Sequence, residues 1–331
     1  MRERPALLAP VFKSALADLL SGFLAEKRAA GYRYNAEARA LSKIDDLLLR
    51  EKATPDEIPR QCLDLWLSKR PGEHPTSHQK RVTVMRQFAR YLVRNDIPTY
   101  IPHDGYAPAK SSGFVPRIFT FAEIRSFLNE VDRLEPFRVS RFPLRHLVMP
   151  ELFRVLYACG LRLGEARKLR VEDVDLDEGI LNIRNTKFGK HRLVPLAPGL
   201  AQRLRRYRER VGVRQNDAYF FAAPDGGPYD PKTLYHFFRN TLSKIGMVHG
   251  GRGYGPRIHD LRHSFSVHRL IQWYREGTDL TVKVPILATY LGHRDIASTQ
   301  KYLHLVPELF PEVTKSLERS VGHVIPGGTT S

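Results

Sequence analysis

The chain has 331 residues, 42% hydrophobic and 27% charged, enough apolar material for a substantial core and for two ordinary domains. That balance excludes a wholly disordered, collagen-like or membrane-embedded chain, and no apolar run approaches the length of a membrane span. The 53 Lys and Arg against 35 Asp and Glu leave +18, spread along the chain rather than gathered in a tail, which favours a polyanion, nucleic acid first, because each neutralised phosphate releases counterions.

From about Phe12 to Arg50 the residues Leu16, Leu19, Leu20, Phe23 and Leu24, then Leu41, Ile44, Leu47 and Leu48, recur at helical spacing with a break at Gly31, which predicts a helix pair. A further helix is predicted over Ser77–Arg94. There Val82, Met85, Ala89 and Leu92 form one stripe, and Arg86, Arg90 and Arg94 line an adjacent flank suited to tracking a DNA backbone. Pro98, Pro102, Pro108 and Pro116, with Gly105, Ser111, Ser112 and Gly113, resist helix and strand alike and read as an interdomain linker. Beyond it Thr120 followed by Glu123 has the capping-box pattern, so a second domain opens there.

Leu147–Leu169 reads as mostly helical. Gly179–Leu196 reads as a β-hairpin, Ile180–Ile183 and Leu193–Leu196 flanking Lys187-Phe188-Gly189-Lys190. The segments 200–210, 234–245, 261–274, 284–291 and 297–305 favour helix again. Cys62 and Cys159 lie far apart in apolar contexts, with neither a disulfide framework nor zinc spacing, and read as buried thiols in a reducing cytoplasm. Asp173, Asp175 and Asp177 resemble the start of a calcium loop, but the required Gly comes one place late, at Gly179, and Arg184 stands where the closing Glu belongs. No Gly-rich loop ends in Gly-Lys-Ser/Thr, so a P-loop ATPase lacks support.

Phosphodiester cleavage without metal or ATP needs a protein nucleophile, cations on the non-bridging oxygens and an acid for the leaving oxygen. Arg, Lys, His and Tyr supply all three. Four separated segments carry them: Gly160–Glu165, Thr186–Arg192, His259–Phe265, and Leu291-Gly292-His293 with Gln300-Lys301-Tyr302. Singly each is weak: Tyr302 is one of 14 tyrosines, and His-x-x-Arg also occurs at His78/Arg81 and His236/Arg239. Their joint order is specific.

Together these segments resemble the tyrosine recombinase (phage integrase) family over about Pro116–Pro311. The resemblance implies a mainly α fold with a small β-sheet or hairpin (α+β). It implies a helical, SAM-like core-binding domain over 1–100, a linker over 101–115, a catalytic domain over 116–320 and a flexible tail over 321–331, the two domains closing as a C-shaped clamp on the duplex. It makes the protein a site-specific recombinase or integrase that cuts and rejoins DNA through a 3′-phosphotyrosine, for integration, excision or transposition, with no cofactor or metal. Arg162 and Arg262 are then the arginines on the scissile phosphate, Lys187 the acid for the departing 5′ oxygen, His259 the general base or relay, His293 a phosphate ligand and Tyr302 the nucleophile.

Glu165 is expected to buttress the site, and Arg86, Arg90, Arg94, Lys190 and Arg192 to contact DNA. The partners implied are double-stranded DNA, a synaptic homotetramer and partner recombinases, with no membrane and a nucleoid-associated cytoplasmic location. Cys159 stands where Thr is common, and Leu163-Gly164 replaces the frequent Ile-Ser. Apolar Leu309, Phe310, Val313 and Leu317 suggest a tail helix that docks either on a neighbouring subunit or on its own domain. A type IB topoisomerase-like relaxase and a non-cleaving DNA-binding accessory protein are the competing readings.

Overall fold

A computed structural model describes residues 10–32, 34–106, 116–136, 142–184, 191–212, 214–250, 255–293 and 295–305. The chain divides into two compact units, Met1–Val115 and Pro116–Ser331. Lys187, Lys190, the apolar positions from Leu309 to Leu317, most of the linker and the 321–331 tail lie outside the described residues.

The first unit is built from helices α1 (Ala17–Ala29), α2 (Asn35–Arg50), α3 (Arg60–Leu67) and α4 (Pro75–Arg94). Its core joins Leu16, Leu20 and Phe23 to Leu41, Ile44, Leu63, Trp66, Met85 and Phe88, all buried. The break between α1 and α2 falls at Gly31, whose φ of 83° suits glycine. Buried Asp45 accepts the amides of Lys13 and Ser14 at 2.7 and 2.9 Å, tying the chain entry to α2. Helix α3 is absent from the expectations above. Only eight residues long, it shows its helical spacing in Leu63, Trp66 and Leu67 alone, too few for periodicity to register.

The cationic flank of α4 is partly employed inside the unit. Arg86 donates to the carbonyls of Pro102 and His103, both at 2.7 Å, and Arg94 pairs with Glu26. Arg90 is exposed.

The second unit opens with α5 (Phe121–Asp132), closed at its start by the expected reciprocal box. Thr120 accepts the Glu123 amide at 3.1 Å, and the Glu123 carboxylate accepts the Thr120 amide at 2.8 Å. Helix α6 (Arg145–Ala158) is largely buried, with Val148, Met149, Leu152, Phe153, Val155 and Leu156 in the core. The expected helix over 147–169 is interrupted at Cys159 and Gly160, before the single turn α7 (Leu163–Ala166).

Gly160 takes φ +56°, and a Cβ there would lie 2.6 Å from the ring of Phe265. Both facts exclude a continuing helix of ordinary residues.

The hairpin gains a third, short strand: β1 (Val174–Asp175), β2 (Ile180–Ile183) and β3 (Arg192–Pro195) form an antiparallel sheet in that order, with Leu181 opposite Val194 and Ile183 opposite Arg192. Asp175 serves this turn, accepting the amides of Asp177 and Glu178. Helices α8 (Pro198–Val211), α9 (Pro231–Lys244), α10 (Ile258–Arg275), α11 (Leu280–Leu291) and α12 (Ala297–Gln300) complete the unit. The helix expected to run to residue 305 stops at Gln300. A mainly α fold with one small sheet is therefore observed.

Thr120→Ala removes the acceptor for the Glu123 amide and should cost about 1 kcal/mol, read as a lower urea midpoint; an unchanged midpoint would contradict the capping role.

Candidate active site

The end of α11 organises the site. Gly292, at φ +66°, closes the helix: its amide bonds the carbonyl of Thr289 at 3.0 Å and the next amide, of His293, bonds that of Ala288 at 2.9 Å, the left-handed glycine cap. That cap leaves the carbonyls of Tyr290, Leu291 and Gly292 without backbone donors, at the negative end of the helix. Each takes a different arginine: Arg192 Nε donates to Tyr290 at 2.8 Å, Arg262 Nη2 to Leu291 at 2.7 Å, and Arg162 Nη2 to Gly292 at 3.0 Å.

Arg162 stands at the N-cap of α7, in extended backbone. Its amide and its Nη1 donate to the two oxygens of Glu165 at 3.0 and 2.8 Å. Arg262 is only 1% exposed and also donates Nη1 to the carbonyl of Gly160 at 2.7 Å. A buried guanidinium with two carbonyl partners and no carboxylate is a costly arrangement. Burial and the nearby Arg162 push its pKa down to about 10. An anion between the two arginines would relieve both costs. Glu165 meets two guanidinium groups, and their hydrogen bonds and charge overcome burial to hold its carboxyl at about 2.

His259, Arg262 and His263 are one turn apart on α10 and share a face. The rings of His259 and His263 meet edge to face at 4.7 Å. His263 Nδ1 lies 2.9 Å from the hydroxyl of Tyr302, within hydrogen-bond distance. His293 Nδ1 lies 2.6 Å from Thr299 Oγ1, an engagement that leaves Nε2 for another partner. Burial first, then the surrounding arginines, lowers His259 and His293 to about 4, while burial followed by His259 lowers His263 to about 3. All three imidazoles are neutral at pH 7.

Tyr302 is 5% exposed. Its ring packs with Phe265, Leu270 and Leu291, and stands 6.1 Å from the ring of His293. Burial raises its pKa above the ordinary phenol value, opposed by Arg262 and by hydrogen bonding to Ser266. The phenol is therefore buried and held in its protonated form.

Of the residues singled out from sequence, the structure thus gathers Arg162, Glu165, His259, Arg262, His293 and Tyr302 around one helix end. Arg192, read from sequence as a DNA contact, has a side chain 9% exposed and spends its guanidinium on Glu165 and the Tyr290 carbonyl. His263 was missed as a site residue, although its place one turn beyond His259 was a usable signal. Among the described residues no group of His, Cys, Asp and Glu is placed to hold a metal ion, and no helix is long and apolar enough to cross a membrane.

Residues 117–308 match the phage integrase family. The Sinorhizobium fredii protein y4rB, named as an integrase/recombinase, is 33% identical over 310 residues, 92% of this chain and 98% of its own length. A protein of Bradyrhizobium diazoefficiens named tyrosine recombinase XerD is 29% identical, over 96% of this chain and 98% of its own. Among solved structures, XerH recombinase bound to its palindromic difH substrate superposes with a TM-score of 0.62 at 18% identity, covering 95% of this chain and 92% of that one. The Tn1549 transposon integrase bound to transposon right-end DNA gives 0.63 at 16% identity, covering 91% and 98%. At those identities the structures speak for the fold.

Because the three imidazoles titrate below the ordinary value of 6.5, the unfolded chain binds protons between about pH 7 and 4 that the folded chain refuses, so stability falls as pH falls through that window. The urea midpoint should be lower at pH 5 than at pH 7.5, while Glu165, held at about 2, stays ionised in both; an equal or higher midpoint at pH 5 would contradict neutral, buried histidines.

Proposed function

The chain belongs to the phage integrase family, the tyrosine recombinases, and is an enzyme that breaks and rejoins DNA strands; within that chemistry we propose that Tyr302 is the nucleophile and that Arg162, Arg262, His259, His293 and Lys187 divide the remaining work. The Tyr302 oxygen bonds to the scissile phosphorus and the bond to the 5′ oxygen breaks, leaving a 3′-phosphotyrosine and a free 5′-hydroxyl. The phenolic proton, whose free pKa is near 10, passes to His259. Lys187 protonates the departing 5′ oxygen.

Arg162 and Arg262 donate to the non-bridging oxygens, where forked guanidinium groups stabilise the charge of the pentavalent transition state. His293 orients the phosphate through Nε2, and Glu165 fixes Arg162. Before attack Tyr302 leaves its place against His263, since a residue only 5% exposed does not meet a DNA phosphate there. The observation that carries this reading is the pairing of Arg262 and Arg162 on the adjacent carbonyls of Leu291 and Gly292, with His293 next in sequence and Tyr302 beside it.

Because the phosphotyrosine conserves the phosphodiester bond energy, the 5′-hydroxyl of a second duplex reverses the attack, and strand exchange follows. Complete exchange between two duplexes needs four cleavages, hence a synaptic tetramer, of this chain alone or with partner recombinases. The helical first unit is then the core-binding domain, 101–115 the linker and the second unit the catalytic domain, on double-stranded DNA.

The probe is a duplex selected from a random-sequence pool by the purified protein. A nick just 3′ of the cleavage position lets the short 5′-hydroxyl fragment diffuse away. Wild type should accumulate a denaturant-resistant protein–DNA adduct and Tyr302→Phe none; no adduct from wild type, or one from Tyr302→Phe, overturns the assignment. Reciprocal exchange between two intact duplexes separates recombination from simple relaxation.

A further inference from the structure

Arg192 is the arginine that the cleavage chemistry leaves unassigned. It opens β3, opposite Ile183, immediately after the segment that contains Lys187. Its three donors serve two different elements: Nη1 and Nη2 reach the oxygens of Glu165 at 3.2 and 2.9 Å, and Nε reaches the Tyr290 carbonyl at 2.8 Å. The Glu165 side chain, 7% exposed, is as enclosed as the arginine itself at 9%. The chain passes directly over this guanidinium at Gly292, where a Cβ would sit 2.9 Å from Arg192 Nη1. Glycine at 292 is thus required twice, for the helix cap and for room.

Each oxygen of Glu165 accepts from Arg192 on one side and from Arg162 on the other. A carboxylate gripped from two sides does not rotate, and neither does the Arg162 fork that leans on it. By the same guanidinium, α11 is pinned at Tyr290, three residues before His293.

We propose that Arg192 is a positioning residue for strand cleavage, acting through Glu165 on Arg162 and through the Tyr290 carbonyl on the helix end that presents His293. It contacts neither DNA nor the reacting atoms. Lysine cannot replace it, because one ammonium does not reproduce a planar fork that spans a carboxylate and a carbonyl together. A displacement of about 1 Å in such a clamp costs about 100-fold in rate.

The inference rests on the cleavage reading above and is tested on the same selected, nicked duplex. Arg192→Lys should keep the thermal midpoint and the affinity for the intact duplex near wild type and lose about 100-fold in the single-turnover rate of adduct formation. Because removing one partner of a buried ion pair can unfold a protein, the double variant Glu165→Gln, Arg192→Gln is measured beside it. It removes both charges at once and should show the same loss with affinity retained. A duplex with sulfur in place of the 5′ bridging oxygen, whose thiolate leaves without an acid, should rescue Lys187→Ala but neither Arg192→Lys nor the double variant.

Wild-type cleavage by Arg192→Lys would reduce the residue to charge balance. Rescue of it by sulfur would place the defect at the leaving group, and weakened DNA affinity matching the lost rate would restore it as a DNA contact. Each of these overturns the proposal. Failure of wild type to form the adduct would instead overturn the reading beneath it.

Discussion

Three guanidinium groups converge on the last three carbonyls of one helix, and the rest of the catalytic unit is arranged to bring them there. A helix end offers unpaired carbonyls and partial negative charge. In α11 the glycine cap settles two of its carbonyls internally and leaves three for Arg192, Arg262 and Arg162, which come from β3, α10 and the start of α7. Segments separated by as many as 130 residues are joined this way. The carbonyls are fixed dipoles without net charge, so they orient the arginines while leaving their positive charge uncancelled. Among the described residues Glu165 alone pairs with them, and it is shared between two of them.

That arrangement accounts for the electrostatics of its neighbours. Burial first, then the neighbouring arginines, keeps His259 and His293 neutral and depresses Arg262 itself, so the pocket favours an anion. Under the proposed function a phosphate is that anion. Tyr302 is protonated and set against His263. Under the proposed chemistry that phenol must be displaced before it reacts, which separates binding from chemistry.

Much of this was legible in the sequence. Thr120 with Glu123, the Gly31 break and the alternation around Lys187 each have a local physical cause, and local causes are what a sequence displays. The proposed catalytic set comes from the order of four motifs, although no single spacing would have found Tyr302 among 14 tyrosines. The interruption at Gly160 was not legible, because it depends on Phe265, 105 positions away, filling the place of a side chain. Nor was the place of Arg192: a basic residue beside a lysine hairpin looks like a DNA contact until Glu165 and the end of α11 are seen to enclose it. His263 falls between, carried on the same helical face as His259 yet distinguished only by the tyrosine folded against it.

A structure of the protein with cleaved target DNA and orthovanadate, which adopts the pentavalent geometry of the transition state, tests the account most directly. Vanadium bonded to the Tyr302 oxygen, with Arg162 and Arg262 donating to its equatorial oxygens while still bonded to the carbonyls of Gly292 and Leu291, is the predicted result. Vanadate held by other cations, with those two arginines turned away or Tyr302 still against His263, would contradict it.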